Sequence, residues 1–226
     1  VPIYVNIPYE WTTDPNPPEV PVAHNPVGSY RRTFTVPDDW QGKQVFIHFG
    51  SVKSAFYLWI NGEKVGYSQG SKTPAAFDIT PFIQPGENMV AVEVYRWSDG
   101  SWLECQDFWR VSGIQREVYL EARPLTRISD FFSRSQLVFN YRDGLFDLDV
   151  KLVNSADTGS EAALRVKLYD QQQLPFWEDE LPVLLQAGGS VSLNTSATLG
   201  GVVPWSAESP YLYTLVMELY DADGVL

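Results

Sequence analysis

The chain has 226 residues, with 28 acidic against 16 basic side chains and a formal net charge of −12. That balance excludes a nucleic-acid partner, because neutralising phosphates takes clustered Lys and Arg, and it disfavours an anionic membrane surface for the same reason. A single cysteine, Cys105, rules out an internal disulfide, and no apolar run reaches the 18 or so residues of a membrane-spanning helix.

The opening lacks the charged and then apolar profile of a signal peptide. Neither cytoplasm nor periplasm is singled out. The first residue is Val1 rather than Met, which reads as an excerpt from a longer chain. Sixteen Gly, sixteen Pro, twelve Tyr and eight Trp suit an all-β protein with many turns.

In chain order, residues alternate with period two over Tyr30 to Val36, Gln44 to Phe49, Ala55 to Ile60, Met89 to Tyr95 and Glu117 to Glu121. This is the signature of half-buried strands. Asn61-Gly62 lies between two such runs and predicts a type I′ hairpin, whose two central residues both need positive φ. No helix-length 3.6 period occurs in this half, so it reads as a β-sandwich.

A break falls at Arg123-Pro124-Leu125. The first 124 residues hold six of the eight Trp, and only Trp177 and Trp205 follow. Plainer strands are predicted at Leu145 to Val153, Ala163 to Tyr169, Ser190 to Thr195 and Tyr211 to Tyr220, with turns between them as in an immunoglobulin-like sandwich. Domain boundaries of 1–124 and 125–226 follow. Asp221-Ala222-Asp223-Gly224 is a hairpin turn that should feed a partner strand, yet two residues later the sequence ends. The last strand of the second sandwich is therefore expected to be cut off, leaving an open edge beside Tyr211 to Tyr220.

The catalytic inventory is thin. His24 and His48 are the only histidines, and no CxxC, HExxH or phosphate-cradling Gly-rich loop is present. Both histidines read as structural. One segment, Tyr95 to Ile114, is dense in Trp and charge, placing Glu104, Gln106 and Asp107 beside Trp102 and Trp109. Aromatic faces pack against sugar rings, and carboxylates accept hydroxyl hydrogen bonds or bind hard cations. The same residues also suit a folded loop whose Trp fill the sandwich end and whose acids pair with Arg96 and Arg110. Composition leaves both readings open. Glu104 and Asp107, three residues apart in one loop, do not suit the flanking carboxylates of a glycosidase.

The run Arg96-Trp97-Ser98-Asp99-Gly100-Ser101, then Leu103-Glu104, Gln106-Asp107, Trp109-Arg110 and Ser112-Gly113-Ile114, closely resembles the N-terminal sugar-binding domain of bacterial β-galactosidases of glycoside hydrolase family 2. So do Pro2-Ile3-Tyr4-Val5-Asn6, Asn25 to Tyr30, Ser54 to Trp59, Val65-Gly66-Tyr67 and Phe77-Asp78-Ile79. Ile128-Ser129-Asp130-Phe131 and Trp205 to Tyr213 resemble the family's immunoglobulin-like second domain.

The resemblance implies a jelly-roll-like sandwich of the galactose-binding-domain type, then an immunoglobulin-like sandwich. A TIM barrel carrying both catalytic glutamates follows in the family and lies outside this sequence. This chain would then hold no catalytic residue and be inactive alone. The resemblance makes Asp107 a substrate-binding residue of the galactose subsite and a ligand of sodium. Asp99 and Gln69 match oxygen ligands of a peripheral divalent ion. Trp102 and Trp109 are the candidate sugar platforms.

Sodium and magnesium are expected for the full enzyme and none for this portion. The expected partners are a β-galactoside, the barrel of the parent chain and, for the full enzyme, further copies of itself in a homo-oligomer. A stand-alone carbohydrate-binding module and a β-glucuronidase or β-mannosidase portion are the alternatives.

Overall fold

The computed structural model describes residues 9–105, 110–221 and 223–225. The chain is all-β and divides into two compact units, Val1–Arg123 and Pro124–Leu226.

The first unit runs β1 (Val27–Thr35), β2 (Gln44–Phe49), β3 (Val52–Lys53), β4 (Ala55–Ile60), β5 (Glu63–Gln69), β6 (Ala75–Asp78), β7 (Glu87–Tyr95), a four-residue helix α1 (Ser101–Glu104), β8 (Gly113–Ile114) and β9 (Val118–Arg123). A four-stranded sheet in the order β1-β7-β4-β5 and a three-stranded sheet β6-β2-β9 enclose the core, while β3 and β8 pair separately. Alternation decides which side chains enter it. Val45, Ile47 and Phe49 of β2 meet Phe56, Leu58 and Ile60 of β4 and Val92 and Val94 of β7, all buried. β2 and β4 fall where the period-two runs place them, because each has one face in the core and one outside. At the β4–β5 hairpin Asn61 has φ 51° and Gly62 φ 87°, and Ile60 pairs with Glu63 across them. The two-residue turn predicted from the sequence is therefore present.

The second unit runs β10 (Thr126–Val138), β11 (Asp143–Asn154), β12 (Ser160–Tyr169), β13 (Pro175–Leu185), β14 (Ser190–Leu199), β15 (Thr214–Asp221) and β16 (Gly224–Val225). Its sheets are β10-β11-β14 and β13-β12-β15-β16. Between them lie Phe146, Leu148, Val150 and Leu152 of β11 against Leu164, Val166 and Leu168 of β12, as in an immunoglobulin-like sandwich.

β10 and β13 escaped the period-two reading. Both are edge strands. Ten consecutive residues of β10 from Ser129 have little burial contrast, and β13 carries Pro175 and Pro182, which edge strands tolerate. The hairpin at the C-terminal end is formed, with Tyr220 opposite Val225 and Asp221 opposite Gly224. Along the rest of β15, Thr214 to Leu219 pair with β12 alone among the described residues. No described helix is long and apolar enough to cross a membrane.

Candidate functional site

The dense segment of the sequence leaves β7 at Tyr95 and folds back through α1 at one end of the first sandwich. Asn25 holds its start. The Asn25 side-chain amide donates to the Trp97 carbonyl at 2.8 Å and its oxygen accepts the Trp97 N–H at 2.9 Å. Ser101 Oγ then accepts the Ser98 N–H at 3.0 Å and the Ser101 N–H donates to the Ser98 carbonyl at 2.9 Å, which turns the chain into α1.

An aromatic cluster packs around that helix. Tyr9 meets Trp102 with ring centroids 4.4 Å apart, Trp11 meets Trp97 at 4.5 Å, and Trp11 meets Trp102 edge-on at 5.4 Å. Trp102 is 6% exposed, and its indole N–H donates to the Glu19 carbonyl at 3.0 Å. The reading of Trp102 as a sugar platform is thereby corrected: two other rings pack against its indole, little of it reaches solvent and its one donor is already satisfied. Trp102 belongs to the interior. Asp107 and Trp109 lie outside the described residues.

Charges line the same end. Glu10 accepts from Arg96 at 2.9 Å and lies 3.8 Å from Arg110, whose side chain is fully buried. Lys53 on β3 and Cys105 just after α1 are also buried. Burial pushes the Lys53 amine below its ordinary value, against the nearby Cys105. Burial likewise pushes the Cys105 thiol up, against Lys53 and Arg110, so Cys105 is an inert thiol rather than a nucleophile. Glu104 is a structural acid: its Oε1 accepts the Ser71 N–H at 3.0 Å and its Oε2 the Ser71 hydroxyl.

Asp99 and Gln69 are exposed side chains that both interact with Tyr67. Gln69 Oε1 accepts the Tyr67 hydroxyl at 2.7 Å and Asp99 Oδ1 the Gly100 N–H at 2.8 Å. Burial, with the Asp99 charge second, pushes the Tyr67 phenol up. Hard oxygen donors suit a divalent cation, but octahedral Mg²⁺ takes about six ligands. Each of these two oxygens already accepts a hydrogen bond. Among the described residues no group of three His, Cys, Asp or Glu could hold a metal, so Asp99 and Gln69 supply at most part of such a site.

His48 sits elsewhere, on β2. Its Nε2 lies 2.9 Å from Glu121 and its ring stacks on Tyr119 at 4.8 Å, a structural setting. The sequence reading missed Tyr9, Glu10, Trp11, Asn25 and Lys53 as members of the cluster. The closely spaced Tyr9-Glu10-Trp11 was the available signal, an aromatic and acidic triplet in an otherwise Pro-rich stretch.

Residues 1–124 match the model of the glycosyl hydrolases family 2 sugar binding domain, and residues 126–226 that of glycosyl hydrolases family 2. A β-galactosidase of Priestia megaterium is 46% identical over 99% of this chain and 22% of its own length. One from Clostridium acetobutylicum is 41% identical over 99% of this chain and 24% of its own. The chain thus spans under a quarter of the curated relatives it matches.

Among solved structures, a β-glucuronidase of Bacteroides uniformis superposes with a TM-score of 0.83 at 24% identity, covering 90% of this chain and 25% of that one. A β-glycosidase of Bacteroides vulgatus reaches a TM-score of 0.72 at 27% identity, covering 88% and 24%. With two β-sandwiches in the fold and both halves of the sequence matched, the chain belongs to glycoside hydrolase family 2, as its N-terminal sugar-binding domain followed by its immunoglobulin-like domain.

Proposed function

We propose that this chain is the non-catalytic N-terminal portion of a retaining β-galactosidase that releases terminal β-D-galactosyl residues. The observation that carries this reading is the 46% identity to a β-galactosidase across nearly the whole chain. The β-glucuronidase named above supports the fold alone at 24% identity.

A retaining glycosidase needs two carboxylates about 5–5.5 Å apart on either side of the scissile bond, and the half-buried Glu104, both of whose oxygens are engaged by Ser71, is unsuited to that task. The two catalytic carboxylates then belong to a barrel domain outside these 226 residues. The chain's contribution is to support that barrel and to present Asp107 to the galactose subsite. A carboxylate there serves a sugar hydroxyl and a sodium ion equally well. Magnesium would take Asp99 and Gln69 as two of its ligands, with the others supplied by other parts of the enzyme.

An exposed aromatic surface on the second unit agrees with a role as a supporting domain. Trp205, Leu212 and Tyr141 are 61%, 66% and 73% exposed around a groove of about 750 Å3. The full enzyme is read as a homo-oligomer.

The test has two arms. The purified 226-residue chain should not turn over a chromogenic β-galactoside, and turnover above that of an Asp107→Ala control overturns its inactivity. The full-length enzyme should hydrolyse the β-galactoside in preference to the matching β-glucuronide and β-mannoside. Asp107→Asn in it should lower kcat/KM by roughly 10- to 150-fold, as loss of a charged hydrogen bond of about 1.5–3 kcal/mol does. Preference for the glucuronide overturns the galactosidase reading.

A further inference from the structure

The outer face of the four-stranded sheet in the first unit holds a concavity that the sequence did not announce. Phe56, Leu58 and Ile60 of β4 and Val92 and Val94 of β7 point into the core, so the alternate residues of those strands stand on the opposite face. The register aligns them in rows. Arg31 of β1, Ala91 of β7 and Trp59 of β4 form one row, and Ser29, Glu93 and Tyr57 form the next. Ala91 lies at the middle of the first row and lines the hollow, where its methyl group is small beside the Arg31 and Trp59 side chains that flank it. The cavity of about 520 Å3 is bounded by Trp59, Arg31, Glu93 and Ser29, within the roughly 300–1,000 Å3 of small-molecule sites.

The walls are held in place. Trp59 packs against Tyr57 at 6.0 Å, and Tyr57 in turn against Tyr67 at 4.8 Å and Tyr95 at 5.9 Å. The Tyr95 hydroxyl donates to Glu93 Oε2 at 3.2 Å and orients that carboxylate. The Lys64 ammonium lies over Tyr57 at 4.0 Å, whereas Trp59, which lines the hollow, has no cation over its ring among the described residues. Arg31 lines the hollow, is exposed and forms no ion pair among the described residues, so its guanidinium donors are available to a ligand.

An indole wall between a carboxylate acceptor and a guanidinium donor is the chemistry of a neutral polyol with one apolar face. In β-D-galactose the axial 4-hydroxyl leaves C3, C4 and C5 with their hydrogens on a single face. That face packs on an aromatic ring, while the hydroxyls on the ring edge take charge-assisted hydrogen bonds. An anionic ligand is disfavoured by Glu93 on the wall. We propose that this hollow is a carbohydrate-binding site for β-linked galactosyl units, with Trp59 as the platform and Glu93 and Arg31 bracketing the hydroxyls. It uses no residue of the Arg96 to Ile114 segment. The choice of sugar rests on the galactosidase reading, whereas the existence of the site rests on this geometry.

The test is titration of the 226-residue chain with lactose and with soluble β-1,4-galactan oligosaccharides, followed by calorimetry and by the indole N–H signals in NMR. Saturable binding is expected to shift the Trp59 indole signal, to weaken by roughly tenfold or more in Trp59→Ala, the loss of a stacking contact worth about 1.4 kcal/mol, and to survive largely in Trp59→Phe, which keeps a ring. Arg31→Ala and Glu93→Gln, both at surface positions, should each weaken it with the unfolding midpoint unchanged. Absence of binding to either sugar, or binding that persists unaltered in Trp59→Ala, overturns the site. The galactosidase reading is decided separately, by turnover in the full-length enzyme, so the two can fail independently.

Discussion

The Glu104 carboxylate closes on Ser71, with one oxygen accepting the backbone N–H at 3.0 Å and the other the side-chain hydroxyl. Ser71 is 2% exposed and its own carbonyl accepts from the buried Ser51 hydroxyl at 2.5 Å. The clasp ties α1 to the loop after β5. Glu104→Ala strands a buried N–H and a hydroxyl, a loss of about 1–3 kcal/mol. It should lower the urea midpoint of the first unit, and a cycle with Ser71→Ala should return less than the sum of the two single losses. Additive losses would mean that Glu104 does not act through Ser71.

Lys53 offers a pH signature. Its amine is held below the ordinary 10.5, chiefly by burial, so the unfolded chain binds a proton that the folded chain resists. Stability attributable to Lys53 therefore rises with pH between its lowered folded value and 10.5. Cys105 acts in the opposite direction: burial raises its thiol above 9.0, and its contribution, complete below 9.0, is lost as pH rises through the folded value. In a Cys105→Ala background the unfolding free energy should climb as pH is raised towards 10.5, and the further change Lys53→Met should flatten that climb. A slope that survives Lys53→Met would place the effect elsewhere.

How much of this was legible depends on contrast between the two faces of a strand. Gln44 to Phe49 alternates buried and half-buried positions, and Asn61-Gly62 has no comfortable alternative to its turn, so both could be read. β10 has few buried positions and thus no pattern to detect. On β4 the opposite failure occurs. Ala55, Tyr57 and Trp59 on the outer face are as apolar in composition as Phe56, Leu58 and Ile60 on the inner one, so the strand is evident while its aromatic outer face is not. Trp102 shows the same limit at the site. An interior indole and a sugar platform are one residue type, and only the packing of Tyr9 and Trp11 around it separates them.

Gly66 on β5 is fixed by steric contact rather than by backbone angle. A Cβ there would lie 2.7 Å from Phe77 Cε1, and Phe77 packs edge-on to the core rings Phe49 and Phe56. Gly66→Ala should therefore cost about 1–3 kcal/mol through overpacking. Phe77→Leu carries its own cavity cost, yet the double variant should be more stable than the two losses together allow. Thermal unfolding of the four proteins measures this, and strict additivity would show that the clash is relieved elsewhere.

In the β6-β2-β9 sheet of the same unit, Glu121 accepts two hydrogen bonds from Arg123, at 3.0 and 2.9 Å, and faces His48 Nε2 at 2.9 Å. The Arg123 hydrogen bonds, with its charge and that of His48, hold the carboxyl below its ordinary 4.5 despite partial burial. A depressed carboxylate contributes stability that is complete above 4.5 and disappears as pH falls through the folded value. The side chain is 40% exposed, so solvent screening keeps the contribution below about 1 kcal/mol. Glu121→Gln should lower the urea midpoint slightly at pH 7, and the gap should close as pH falls below 4.5. Salt at 0.5 M should narrow the gap at pH 7 as well, because the pair is open to solvent. A gap that is constant across pH would assign the loss to packing on Arg123 rather than to charge.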